Sequence, residues 1–225
     1  MISMTVARFR EMIDQMAYER MGLFEFCDFL RHNTHEDKWL REEYLPLLAV
    51  VRHKKIADGV QIELGQNTQP WDARIGGRDL YEVVQALPER EHEVRKAIAG
   101  DGQSWDTWMA HRDDALQFPG VIVEAIKKKH AKGYADHRSL VVVFGDYTGE
   151  NDAVIHRWLS FVRRQTTRGA FKEILLVELD RRRVFPLFPP ETEPLQSARP
   201  AGGFIAPATF KAQTSASAKR ARGRQ

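Results

Sequence analysis

The segment Ser139 to Gly145 limits the fold of this chain more than any other, because it is an apolar run without a charged residue. Such a run is typical of a β-strand that is covered on both faces. Glu173 to Leu179 is predicted to be another strand, and helices are predicted over Val121 to Lys132 and Ala153 to Arg164. Helices alternating with buried strands indicate an α/β domain, with a mixed or largely parallel central sheet flanked by helices.

Shorter elements are predicted around this core. Residues 60–64 alternate apolar and polar side chains, as a strand with one buried face does. Residues 184–188 are a candidate last strand or hairpin partner. Asp72 begins a stretch that we expect to be helical, although Gly76 and Gly77 weaken it.

The first fifty residues are predicted to be helical. Apolar residues recur at steps of three and four between Thr5 and Met21, and a second, shorter helix is expected over residues 23–30. Pro46 lies inside a third helix, so we expect a kink or break near Glu43. Three regions follow from this pattern: an N-terminal helical region at 1–35, an α/β domain at 36–190 and a tail at 191–225.

The positive charge of the chain is concentrated in that tail. The formal net charge is +3, yet the residues from Ala198 onward hold six cations and no acid, so the rest of the chain is mildly acidic. The tail has few large apolar side chains, and we expect it to be disordered. It is either an electrostatic arm for nucleic-acid phosphates or a solubilising tail without a ligand. The candidate contacts are Lys219, Arg220, Arg222 and Arg224.

Nothing in the sequence predicts a membrane protein. The longest apolar stretches fall far below the roughly 20 residues that a membrane helix needs. The N-terminus carries charges among its apolar residues, so no signal peptide is predicted and we expect a cytoplasmic protein. Cys27 is the only cysteine, which excludes an internal disulfide and a multi-cysteine zinc site.

A candidate metal site lies at the predicted strand of residues 60–64. Gln61 and Glu63 are two residues apart and therefore project from the same face, and Asp58 precedes them. Carboxylates in such positions can hold a hard divalent cation through oxygen ligands. The alternative is that Glu63 faces solvent on an edge strand.

A second candidate is the lysine-rich end of the helix that Gly133 terminates. Lys129 and Lys132 share one helix face, and Lys127, Lys128 and Tyr134 lie beside them. Cations at this end also interact favourably with the helix dipole, which explains the pattern without a ligand. The functional interpretation is that one lysine reaches a phosphate or a developing oxyanion.

Four segments together resemble a known group of proteins. They are Val60-Gln61-Ile62-Glu63, Asp72-Ala73-Arg74, residues 125–134 and Leu140-Val141-Val142-Val143. In this combination the chain resembles uncharacterised bacterial proteins whose core is similar to the PD-(D/E)XK nuclease superfamily. The resemblance covers roughly residues 36 to 180, and it implies a restriction-endonuclease-like fold.

The resemblance also implies roles for residues. In that superfamily an acid from one strand and an acid-x-lysine from the next bind magnesium and orient the attacking water. Asp58 would then be the first acid, Gln61 would stand at the second acidic position, and Glu63 would stand where lysine is expected. Asp58 and Glu63 would hold the Mg²⁺. The lysine function would have moved to Lys129 or Lys132, unless the domain has lost catalysis.

Three hypotheses follow. The chain is a metal-dependent nuclease that acts on phosphodiester bonds, or a catalytically inactive nuclease-like protein that binds nucleic acid or a protein. Its nucleic-acid contacts would be Lys127, Lys128 and the basic tail. Alternatively, it is an interaction module whose N-terminal helices bind a partner or a second copy of the chain through Phe24, Phe26, Phe29 and Leu30.

Overall fold

The structure is a computed structural model that describes seven segments of the chain. These are residues 1–21, 39–65, 69–87, 118–134, 137–144, 152–178 and 182–190, with the side chains of 17–21 and 41 left out. All of them belong to one unit, Met1–Glu191. The predicted second helix at residues 23–30, its aromatic side chains and the basic tail lie outside the described residues.

Seven strands of the described residues form one mixed sheet in sequence order. Strands β1 to β4 form an antiparallel meander, β4, β5 and β6 are parallel, and β7 is antiparallel to β6. The prediction of an α/β fold with a mixed sheet is therefore confirmed. The strands are β1 (Ile2–Thr5), β2 (Gln61–Leu64), β3 (Ala73–Ile75), β4 (Asp79–Gln85), β5 (Ser139–Phe144), β6 (Glu173–Glu178) and β7 (Arg183–Phe188).

Four α-helices of the described residues accompany the sheet: α1 (Val6–Met21), α2 (Leu45–His53), α3 (Phe118–His130) and α4 (Asp152–Gln165). A π-helical turn, Leu40–Tyr44, leads directly into α2. Pro46 lies in the first turn of α2, where its missing N–H group costs nothing. The wide turn before it is the interruption that the sequence predicts near Glu43.

The sheet lies between two apolar layers. Alternate residues of β5 face opposite sides: Val141 belongs to the core under α1 and α2, and Val142 belongs to the core under α3 and α4. Every residue of β5 and β6 is buried. The prediction of a strand covered on both faces is confirmed for β5, and β6 is buried in the same way. Any polar side chain on these strands or on β4 must find a partner inside the protein.

The prediction of a helical stretch from Asp72 is wrong. The chain forms a hairpin of β3 and β4 there, and its turn contains Gly76 and Gly77 with φ angles of +63° and +75°. Glycine adopts such angles without the steric cost that other residues bear. The two glycines thus make a tight turn between strands, where the sequence was interpreted as a weakened helix.

The N-terminal segment contains a strand as well as a helix. β1 pairs with β2 at one edge of the sheet, and α1 follows immediately. Val6, Phe9 and Ile13 of α1 are fully buried in the core that also contains β2. Among the described residues, no helix is both long and apolar enough to cross a bilayer.

Candidate functional site

Two carboxylates from neighbouring strands lie opposite each other near the start of the β3–β4 hairpin. The register pairs Ala73 with Tyr81, so one step further Asp72 stands opposite Glu82. The backbone N–H of Asp72 donates to the carbonyl of Tyr81 (3.0 Å), and the N–H of Val83 donates to Oδ2 of Asp72 (2.6 Å). Because Tyr81 and Val83 belong to the core under α1 and α2, Glu82 projects to the other face, towards α3.

Three side chains donate hydrogen bonds to Glu82. Oε1 accepts from Lys129 Nζ (2.5 Å) and from the Tyr134 hydroxyl (2.8 Å), and Oε2 accepts from Arg138 Nη1 (3.0 Å). Glu82 is only 7% exposed, and the side chains of Lys129 and Arg138 are 13% and 3% exposed. We call Asp72, Glu82, Lys129, Tyr134 and Arg138 the Glu82 cluster.

The connection between two parallel strands brings the donors to this point. β4 and β5 are parallel, so the chain must return along α3 to the starting end of the sheet. Lys129 lies in the last turn of α3, and Arg138 directly precedes β5, whose Leu140 pairs with Glu82. The Glu82 cluster therefore lies at the amino end of β5.

Arg138 connects the parts of the cluster. Its guanidinium carbon lies 4.0 Å from the centre of the Tyr134 ring, which is a cation–π contact. The same guanidinium donates to the carbonyl of Pro70 and to Glu82. Arg138 thereby links Pro70, in the segment before Asp72, with Glu82 of β4.

The two carboxylates of the cluster have pKa values shifted in opposite directions. Burial raises the pKa of Asp72, and the nearby charge of Glu82 adds to that effect. Burial alone would also raise the pKa of Glu82, but hydrogen bonds from Lys129 and Tyr134 lower it below its ordinary value. Burial and the hydrogen bond to Glu82 raise the pKa of the Tyr134 hydroxyl, which remains a donor. Asp72 is thus the better proton acceptor, and Glu82 stays ionised.

A small cleft adjoins this cluster. Its volume is about 180 Å³, and Lys129 and Tyr134 form part of its wall. Phe171 also lines it and contacts the Tyr134 ring at 5.8 Å between centroids, and the His130 ring stacks on Phe171 at 5.3 Å. Lys129 and Tyr134 thus border the cleft and also bind Glu82.

The structure places Glu63 and Asp58 away from the lysines. Glu63 lies directly opposite Arg74 in the β2–β3 register, and Arg74 Nε donates to it at 3.0 Å. Asp58 forms an ion pair with Arg10, and its side chain is 68% exposed. Gln61 is exposed at the start of β2. Among the described residues, neither predicted metal ligand forms an ion pair with a lysine of α3.

The four predicted lysines have different surroundings. Lys129 does reach a carboxylate of the sheet, but that carboxylate is Glu82 and not Glu63. Lys127 pairs with Glu124 of its own helix at 3.2 Å, and Lys128 and Lys132 are exposed. The predicted phosphate contacts at Lys219, Arg220, Arg222 and Arg224 lie outside the described residues.

Asp72, Glu82 and Arg138 were not predicted as site residues. The available signal was the sequence Leu80-Tyr81-Glu82-Val83-Val84, in which one acid interrupts a run of residues that favour strands. Within the described segments, no group of three or more histidine, cysteine or acidic side chains is arranged to hold a metal. The cluster offers a pair of carboxylates only.

No family model matches the chain, and searches of curated proteins and of solved structures find no significant match.

Proposed function

We propose that the protein is a metal-dependent hydrolase of phosphodiester bonds, of the nuclease type, and that the Glu82 cluster is its active site. The observation that carries this proposal is the meeting of Asp72, which directly precedes β3, with Glu82 of β4, and the position of the Lys129 ammonium group at 2.5 Å from Glu82. The proposed site lies at the β3–β4 hairpin, and not around Asp58 and Glu63 as the sequence analysis predicts.

The resemblance to the PD-(D/E)XK superfamily is consistent with this placement. Its pattern requires an acid on one strand and an acid-x-lysine on the next. Asp72 and Glu82 supply the two acids, and Val84 stands where the lysine would be. Lys129 supplies the missing ammonium group from α3. We propose the restriction-endonuclease-like assignment of the fold on the same ground.

The donor pair suits Mg²⁺ in number and in kind. Mg²⁺ in enzymes is held by one or two carboxylates, with water and substrate phosphates completing its shell. Asp72 and Glu82 would hold it here, and the bound cation would polarise a phosphoryl oxygen as a Lewis acid.

The chain's own side chains have distinct tasks in this proposal. Lys129 stabilises the negative charge that develops on the phosphate, since it borders the cleft and is largely shielded from water. Tyr134 and Arg138 hold Glu82 in one orientation and act as positioning residues.

A second function is favoured by the saturation of Glu82. Both of its oxygens already accept hydrogen bonds from protein donors, as expected of a structural ion network. The chain would then be a nuclease-like binding protein without catalysis, and the exposed Lys128 and Lys132 at the end of α3 would contact phosphates.

Cleavage by matched variants separates these two functions. We would incubate the full chain with plasmid and single-stranded DNA in Mg²⁺ or Mn²⁺, and compare Glu82→Gln and Lys129→Met with Glu63→Gln. Glu63 is the matched control, since it is also a carboxylate paired with a cation across the sheet. We expect the first two variants to lose at least about a hundredfold in rate, as expected when a charge-stabilising group is removed.

The control variant should keep its activity. If the wild-type protein cleaves neither DNA with either metal but binds them, the non-catalytic function is correct. Loss of cleavage in Glu63→Gln with retention in Glu82→Gln would return the site to β2 and refute the present assignment.

A further inference from the structure

A second cleft lies on the other side of the sheet, where α1 approaches the connection between α2 and β2. Its volume is about 450 Å³. Three cations and one acid line it together with two apolar residues. They are Arg10, Arg52, Lys55, Asp58, Ile56 and Ala57.

The acids near this cleft are held at its surface. Asp58 pairs with Arg10, and Asp14 accepts from Nη2 of Arg52 at 3.0 and 2.9 Å. The side chains of Asp58 and Asp14 are 68% and 51% exposed. Ion pairs with such exposed carboxylates add little stability, so an incoming anion can replace an aspartate at small cost.

The guanidinium of Arg10 has an unused donor. Nη2 donates to the carbonyl of Ile56 at 3.0 Å and Nη1 donates to Asp58. Nε is buried and has no acceptor among the described residues. A buried N–H without an acceptor is rare and unfavourable. Because Nε has no exposed surface, an anion in the cleft would meet Arg10 at Nη1, in place of Asp58.

Lys55 has a backbone conformation that lysine rarely adopts. Its φ is +52°, in the left-handed region that favours glycine and asparagine. This conformation ends α2: the N–H of Ile56 donates to the carbonyl of Val51 and the N–H of Lys55 donates to that of Arg52, as in a Schellman motif. The turn leaves Lys55 exposed among the residues that line the cleft.

We propose that this cleft binds a phosphate group of a ligand, through Arg10, Arg52 and Lys55. Asp58 was expected to hold a divalent cation, but the three cations that line the same cleft would repel one. The phosphate site is separate from the Glu82 cluster: its helices α1 and α2 cover the face of the sheet opposite α3. It does not depend on the protein being a nuclease.

The test follows the backbone amides of residues 55–58 by NMR while inorganic phosphate is added to the full chain at constant ionic strength. Lys55→Asn removes the ammonium group and suits the positive φ. Arg182→Asn is its matched control, because Arg182 is also an exposed cation at φ +52° but lies beside β7, outside this cleft. Asp58→Asn removes the competing carboxylate.

We expect Lys55→Asn to weaken phosphate binding by about tenfold or more, as for loss of one charge-assisted hydrogen bond. Arg182→Asn should leave the affinity unchanged, and Asp58→Asn should increase it. Equal weakening by Lys55→Asn and Arg182→Asn would show unspecific charge attraction and overturn the proposal. So would weaker binding by Asp58→Asn, or the absence of any phosphate-induced shift in the wild-type protein.

A second titration identifies the source of the phosphate. A short single-stranded oligonucleotide that shifts the same amides, in a manner sensitive to Lys55→Asn, assigns a phosphodiester to the site. Shifts with inorganic phosphate alone assign a phosphomonoester. Either result supports the site, and neither requires the protein to cleave DNA.

Discussion

Replacing Glu82 with glutamine tests whether the cluster depends on one buried negative charge. Glu82 is 7% exposed, and the two cations that it pairs with are 13% and 3% exposed, so Lys129 and Arg138 have little access to water once the charge is gone. Removing one partner of a buried ion pair costs about 3–5 kcal/mol, because the other charge is left uncompensated. Glutamine keeps one acceptor oxygen, so we expect a loss near the lower end, about 3 kcal/mol.

The same substitution at Glu63 provides the comparison. Glu63 is also paired across the sheet, but its partner Arg74 is 35% exposed and can be hydrated after the change. The pair is half-buried, with Glu63 16% exposed, so we expect Glu63→Gln to cost about 1 kcal/mol, at the upper end of the range for exposed ion pairs. Both variants replace a glutamate by glutamine beside a cation. They differ in how deeply the remaining cation is buried.

Urea unfolding at neutral pH, followed by tryptophan fluorescence and circular dichroism, gives both free energies of unfolding. Adding Lys129→Met to Glu82→Gln should recover part of the loss, since one unpaired buried cation is removed and contacting residues are not additive. Equal losses in Glu82→Gln and Glu63→Gln would refute the argument, because the cost would then not follow the burial of the remaining cation.

Three further results are expected from the same structure. The stability that the lowered pKa of Glu82 provides is complete above about pH 4.5 and is lost as pH falls through its folded-state pKa. The unfolding curves of the wild type and Glu82→Gln should therefore approach each other in acid, and a difference in free energy of unfolding that does not change with pH would contradict this. Gly65→Ala should destabilise the protein by about 2 kcal/mol or more, since a Cβ at this position would overlap the carbonyl group of Trp71. Gly59→Ala is the control: a Cβ there meets no atom within 4 Å, so the unfolding midpoint should not change. Tyr134→Phe should cost about 1 kcal/mol in urea unfolding, for the hydrogen bond to Glu82, and no loss would show that this bond adds nothing.

The central part of the fold could be predicted because its signals are local. β5 and β6 are apolar runs, and α3 and α4 place apolar residues at helical spacing. Pro46 predicts a kink or break near Glu43, and the structure has a π-helical turn there that continues directly into α2. In each case the residue pattern within one segment determines the element, so no knowledge of its neighbours is needed.

The β3–β4 hairpin could not be predicted in the same way. β3 is only three residues long, too short for a period to be measured, and pairing with β2 and β4 defines it. Two successive glycines also admit two interpretations, a weakened helix or a tight turn, since glycine disfavours helices and permits positive φ angles. Only the strand partners decide between them.

The ion pair of Lys129 with Glu82 could not be predicted from one segment of the chain. The spacing of the two lysines predicts that Lys129 and Lys132 share a helix face, but α3 ends at His130 and leaves Lys132 in an exposed turn. The acid that Lys129 meets depends on the register of β4 against β5. Glu82 interrupts a strand of apolar and aromatic residues, so a carboxylate buried at that position requires donors. In the structure these donors come from the chain that returns to begin β5, where parallel pairing sets Leu140 beside Glu82. The site consequently lies at the amino end of β5, where the crossover brings its cations, and not at the carboxyl ends of the parallel strands, where α/β sheets usually bind ligands.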